Sequence, residues 1–208
     1  MKKNQILVAL MIALLCSSAT ALRAQRLEVR FNKEFSNDSL LNKTMGAGGS
    51  FIIDGWHPNL DFQINFDYAG HSGDVNNFGY SHKVTKFKAG VSALYSKQLG
   101  DMFYLRVGGD VSYNNLHKVV TNHVDSVSVS GHSTTSYRAN MLGIGAVAQV
   151  QAQLGRVVRI GVGVTPTYLI PLTSKVDRPD VESAYKKGIF VLQLQVGLEI
   201  RLNNSNNQ

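Results

Sequence analysis

Six histidines are the first residues of this 208-residue chain whose chemistry could be specific, because imidazole both binds transition metals and moves protons near neutral pH. His71, His82, His117, His123 and His132 fall in two long polar stretches, and His57 in a short one. Their separations match no HxxxH pair and no Cys/His zinc pattern, so they read as solvated loop side chains. His132-Ser133 and His71-Ser72-Gly73-Asp74 look like parts of a nucleophile and its base. Spacing places no third partner for either. The glycines of GAGG at 46–49 lie inside an alternating run with no helix after them, which is not a phosphate loop. The expectation is a non-enzymatic chain with no catalytic, metal-binding or cofactor-binding residue.

The elements that would carry these residues are strands. Period-two alternation recurs over about 26–35, 44–54, 60–70, 84–97, 102–114, 137–154, 157–170 and 188–202. Most of these runs reach the roughly 9 to 11 residues that a tilted strand needs to cross a bilayer, against about 5 or 6 in soluble proteins. Connections alternate in length. GWHPN at 55–59, QLGD at 98–101 and Gly155-Arg156 are short, while 36–43, 71–83, 115–136 and 171–187 are long. In an antiparallel meander this puts every short turn at one end and every long loop at the other, as in bacterial outer-membrane barrels. The fold expected is all-β: an eight-stranded antiparallel up-and-down transmembrane barrel.

The first residues fit that destination. In MKKNQILVALMIALLCSSATALRAQ, Lys2 and Lys3 precede an apolar run from Ile6 to Leu15 and then small residues. This is a Sec signal peptide with a core too short to span a bilayer. Cleavage is expected after Ala21 or, by preference, after Ala24, giving a signal peptide at 1–24, a barrel at 25–202 and a polar tail at 203–208. Leu15 does not suit lipidation of Cys16, which is removed, and no disulfide can then hold the chain. Loss of Lys2, Lys3 and Arg23 removes three of seven net positive charges. With no basic cluster beyond Lys186-Lys187, a nucleic-acid partner is not expected.

Alternation alone does not say which face is wet, since a soluble barrel would bury its apolar parity. Residue size decides. Gly46, Gly48, Gly90, Gly108, Gly143, Gly145, Gly161, Gly163 and Gly197 share the polar parity, and bulky aliphatic and aromatic residues share the other. An eight-stranded barrel is just wide enough inside for side chains to fill it, so the glycines belong inside. In GIFVLQLQVGLEIRL, 188–202, Gln193, Gln195, Glu199 and Arg201 then face the lumen and the leucines face lipid. The inward set pairs Arg26, Arg30, Lys86, Lys88, Arg106, Arg159 and Arg201 with Glu28, Glu34, Asp54, Asp61, Asp67, Asp110 and Glu199. Such buried charge must be paired, so a cross-linked polar plug is expected and an open pore is not. Trp56, Tyr95 and Phe103 at one end, and Phe35, Tyr68, Phe87, Tyr113, Tyr168 and Phe190 at the other, predict two aromatic girdles.

The signal ending in Ala24-Gln25, the strands TMGAGGSFIID and RVVRIGVGVTP and the final LQLQVGLEIRL resemble the small outer-membrane β-barrel proteins of Bacteroidetes, including the PorT-like group, whose architecture is shared by OmpX and OmpA barrels. The resemblance covers about residues 26–202. It implies an outer-membrane location and, from the PorT-like members, an envelope assembly or secretion accessory. This chain departs from the usual aromatic C-terminus, since NNSNNQ follows Leu202.

Function is then expected in the long loops: a structural or binding role, with a narrow pore or a lipid-modifying enzyme as lesser alternatives. Val127 and Val129 alternate with Ser126, Ser128 and Ser130 in loop 115–136, the pattern of a strand continuing above the membrane as an edge for a protein partner. Loop 171–187 mixes Lys175, Arg178, Lys186 and Lys187 with Asp177, Asp180 and Glu182, charges that could touch lipopolysaccharide or divalent ions. The expected partners are outer-membrane lipid and an envelope or extracellular protein, and the expected state is a monomer.

Overall fold

The computed structural model describes residues 25–38, 41–54, 57–75, 80–122, 133–176 and 187–202. Eight strands follow one another: β1 (Gln25–Ser36), β2 (Met45–Asp54), β3 (Leu60–Val75), β4 (Tyr80–Leu99), β5 (Phe103–Asn122), β6 (Ser133–Gln153), β7 (Val158–Val176) and β8 (Ile189–Arg201). Each pairs antiparallel with its sequence neighbour, and β1 pairs with β8 to close the barrel. The eight-stranded meander read from the sequence is therefore the fold. The expected signal peptide and polar tail, Trp56, His123, His132, Val127 and Val129 lie outside the described residues.

Register fixes what each face contains. One row perpendicular to the strands runs Leu27, Phe51, Ile64, Val91, Val111, Ile144, Tyr168, Phe190 and meets β1 again beside Asn37, ten residues beyond its start. That stagger tilts the strands. Every member of the row is apolar or aromatic. Phe31, Val91, Val111, Ile144, Val162 and Val196 are all about half exposed or more, while Arg26, Arg30, Arg106, Asp110 and Glu199 are buried. The partition of a water-soluble protein is inverted: hydrocarbon side chains face out and ions face in. On β5 the outward residues are apolar from Phe103 to Tyr113, glycine aside, a stretch of about 33 Å along the strand and about 25 Å along the barrel axis at the usual tilt. That is the height of a bilayer's apolar band.

Glycines sit where the interior is tightest. A Cβ on Gly163 would lie 2.7 Å from Gln149 Cγ and 2.8 Å from Gln195 Nε2. Gly100, in the short turn after β4, has φ +67°, a conformation that favours glycine. In β7, Pro166 pairs with Leu192 of β8, but the β6–β7 ladder skips its position, consistent with the N–H that proline lacks. A bulge at Asn140/Met141 makes Leu172 the extra residue.

Two expectations need correction. The described parts of loops 71–83 and 115–136 and the first residues of 171–187 are strand: β3 to β7 run on to Val75, Tyr80, Asn122, Ser133 and Val176. These extensions lack the apolar parity used to find strands, because once above a bilayer a sheet has no reason to present hydrocarbon outward. In the first long connection, Leu41–Lys43 forms a 3-10 turn and Leu41 is fully buried.

Val196 lies near mid-height of the apolar belt, opposite Phe31 and Val162. Val196→Arg is expected to destabilise the barrel in lipid vesicles by about 2–4 kcal/mol. Val196→Leu should change it by less than about 1.5 kcal/mol. Urea unfolding followed by tryptophan fluorescence or gel mobility measures both.

Candidate functional site

The strands deliver charged residues to one space from opposite walls. Toward the short-turn end, Glu199 of β8 accepts from Arg106 of β5 at 2.6 Å and from Arg26 of β1 at 3.2 Å, with Arg159 of β7 at 3.5 Å. Asp61 of β3 lies 2.6 Å from Arg26 and 3.2 Å from Arg106. Arg159 also stacks on the Tyr104 ring at 3.7 Å. At mid-height Arg30 grips Asp67 with two parallel 2.9 Å bonds, Nε to Oδ1 and Nη2 to Oδ2, the strong bidentate form. Arg30 also donates to Ser50. From there Asn65 donates to Ser92 at 2.6 Å, Ser92 to Asp110 at 2.9 Å, and Asp110 meets Lys88 at 2.9 Å. Higher still, Lys86 reaches Glu34 at 2.6 Å, and the Thr44 hydroxyl lies 2.9 Å from the same carboxylate.

The inward inventory read from the sequence is thus assembled into three clusters stacked along the lumen, with two qualifications. Arg201 occupies the inward parity but is exposed at the mouth of the barrel. The Asp54 side chain lies outside the described residues. The cavity between Arg30, Asn65, Lys88, Asp110, Gln149 and Gln195 measures about 10 Å³, roughly one water probe. The middle of the lumen is filled.

Sequence reasoning missed what closes the long-loop end. Leu41, Val84, Leu116, Ala139, Met141, Leu169, Ile189 and Val191 form a buried apolar cluster across the lumen, with Tyr137 packed on it. Leu41 comes down from the β1–β2 connection, whose turn is tied by Leu41 N–H to Asp38 at 3.3 Å and Glu34 N–H to the Thr44 carbonyl at 3.1 Å. A signal existed: Val84, Leu116, Met141 and Leu169 break the polar parity of their strands near one end. Above this cluster β3 to β7 continue as a projecting sheet. β7 pairs with β8 only as far as Leu169, and β3 with β2 only as far as Gly70, so among the described strands Ile170–Val176 and His71–Val75 are its two edges.

The histidines divide between faces. His71 and His82 lie inside the projecting sheet, ring centroids 5.4 Å apart. His117 is outside, its Nε2 3.1 Å from Ser136 Oγ, and His57 is exposed in a short turn. Placing His71, His82 and His117 in loops was therefore wrong. Among the described residues no three His, Cys, Asp or Glu side chains converge on a metal position. His71 and Ser72 are consecutive strand residues, so they point to opposite faces and do not form a nucleophile–base pair. In loop 115–136, Asn115–Asn122 pairs on both sides, with β4 and with β6, while residues 126–130, which carry the edge-strand reading, lie outside the described residues.

A wall with hydrocarbon outside, ions inside and a projecting sheet at one end defines the fold class of small outer-membrane barrels. Solved structures agree. A major outer membrane protein from Thermus thermophilus matches at TM-score 0.60 and 14% identity over 86% of this chain and 100% of its own. Neisserial surface protein A matches at 0.54 and 14% over 85% and 95%. Ail, the attachment invasion locus protein of Yersinia pestis, matches at 0.51 and 7% over 86% and 97%. At these identities the likeness is one of fold. No protein-family model matches the chain, and no curated protein does. The PorT-like subtype gains no support from these matches.

Arg106→Met should cost about 3–5 kcal/mol, because Glu199 and Asp61 stay buried with one cation fewer. Adding Glu199→Gln should recover part of that loss in a double-mutant cycle. Leu41→Ala should cost about 2–5 kcal/mol by opening a cavity in the apolar cluster, read from the same unfolding curves.

Proposed function

We propose that this chain is a non-enzymatic protein of the Gram-negative outer membrane that acts as a binding element through its projecting sheet. The apolar outer wall supports the location: Phe31, Phe66, Val91, Val111, Ile144, Val162 and Val196 are all about half exposed or more, and lipid is the solvent in which such a surface is stable. The short turns then face the periplasm and the projecting sheet faces outward. No helix among the described residues is long and apolar enough to cross a membrane, so the strands are what cross.

The sealed lumen argues against transport. An ion would have to part Arg30 from Asp67 and Lys88 from Asp110, then pass the apolar cluster under Leu41. What remains for function is the sheet edge. An unpaired strand edge recruits an extended segment by main-chain hydrogen bonds. Ile170–Val176 offers such an edge, with Ile170 and Leu172 exposed beside it. The partner that fits is an extended segment of an envelope or extracellular protein. The assembly-accessory role is the form this takes if that partner is another barrel or secretion component.

After detergent extraction from the outer-membrane fraction, the chain should run as a compact band on a gel and shift to its normal position only on boiling. Recovery as a detergent-free soluble monomer would sink the location. In a planar bilayer the purified barrel should show no discrete conductance steps. Leu172→Lys with Ser72→Lys, which blunts both edges, should abolish most recovery of co-purifying envelope partners while leaving the heat-modifiable band. Unchanged recovery would remove the edge reading.

A further inference from the structure

The outer wall of β5, β6 and β7 changes chemistry row by row toward the long-loop end. Tyr113, Leu142 and Ile170 stand opposite one another as the last apolar row. One pleat further, Asn115, Asn140 and Thr173 form a polar row: Asn115 Nδ2 donates to Asn140 Oδ1 at 2.7 Å, and Asn140 Nδ2 donates to Thr173 Oγ1 at 2.8 Å. The Tyr113 hydroxyl reaches up to donate to Asn140 Oδ1 at 2.7 Å. These bonds mark the level at which the wall leaves hydrocarbon. The next row is His117, Arg138 and Lys175, each opposite the next across the strand pairs.

Arg138 and Lys175 are both exposed and directly opposed. Like charges in that relation destabilise a sheet unless an anion lies between them. Among the described residues no carboxylate is within salt-bridge distance of either. The row is four residues beyond Tyr113, about 13 Å along the strand and roughly 10 Å along the barrel axis at the usual tilt. That is headgroup level, and arginine and lysine stems are long enough to reach back toward the hydrocarbon boundary.

We propose that Arg138 and Lys175, flanked by His117, hold a phosphate on the headgroup of an outer-leaflet glycolipid, whose acyl chains lie against the Tyr113, Leu142 and Ile170 wall below. The guanidinium supplies a planar fork for two phosphate oxygens and the ammonium a point charge from the neighbouring strand. This rests on the outer-membrane reading. It goes beyond loop charges in general by placing the contact on the barrel wall, at a defined register position.

The test uses the full mature chain, folded in detergent and confirmed by heat-modifiability before any lipid is added. A chain that needs no detergent fails at that stage, which sinks the membrane reading and this site with it, whereas a failure at the lipid stage sinks this site alone. Native mass spectrometry then follows retention of bis-phosphorylated lipid A and of the same lipid with both phosphates removed. Arg138→Gln with Lys175→Gln should lower retention of the phosphorylated lipid about tenfold, since each basic residue near a membrane surface accounts for several-fold in binding. Lys97→Gln with Arg156→Gln removes equal charge at the short-turn end and should leave retention unchanged. The dephosphorylated lipid should bind the native chain no better than the Arg138/Lys175 variant binds the phosphorylated one. Equal retention by native chain and variant, an equal loss in the short-turn control, or indifference to dephosphorylation would each overturn the assignment. So would full displacement by millimolar inorganic phosphate, which would make the site one for the free ion.

Discussion

A pleated strand sends its side chains to two places only, and closing eight strands edge to edge makes one of those places a space scarcely wider than the side chains that enter it. Most other features of the molecule follow from that confinement. Gly90, Gly143, Gly145 and Gly163 are small because a Cβ there would collide with the opposite or neighbouring inward residue. Arg30, Lys88 and Arg106 can be buried because confinement brings acids from neighbouring and facing strands within bonding distance. The outer parity, freed from packing, carries Val, Ile, Leu and aromatic side chains suited to hydrocarbon.

The interior is built in zones. Ion pairs run from the short-turn end up to Lys86 and Glu34, where each charge finds an opposite one across a few ångströms of low-dielectric space. Near the long-loop end the filling turns apolar around Leu41 and Leu116. The change has a physical logic. A charged network open to bulk water at both ends would be screened and exchanged, whereas an apolar lid keeps water from entering along its length. The first connection is tied to the wall through Thr44, whose hydroxyl donates to the Glu34 carboxylate of β1 and whose carbonyl accepts from Glu34 N–H. The result is a support whose lumen is filled from the ion pairs to the apolar lid.

At the rim the constraint relaxes. Beyond Tyr113, Leu142 and Ile170 the outward rows turn polar, and among the described residues five of the eight strands continue. Leaving β8, β1 and β2 short creates edges that a closed barrel otherwise abolishes. Projection and edge are two consequences of one inequality in strand length.

Strand number, the inside and outside parity and the identities of most inward ions were all legible in the residues. These are local or periodic properties: period two is written in every strand, and glycine on one parity can be read without coordinates. Where β3 to β7 end was not legible, because polar strand extensions in hairpins are held by cross-strand hydrogen bonds and carry no hydrophobic period. Folding in three dimensions was also needed to show Leu41 descending into the lumen, Arg201 left at its mouth, and His71 and Ser72 facing opposite ways. The same holds for which ion meets which, and for Arg138 facing Lys175, since stagger between strands is set by closure of the whole wall and no single segment encodes it.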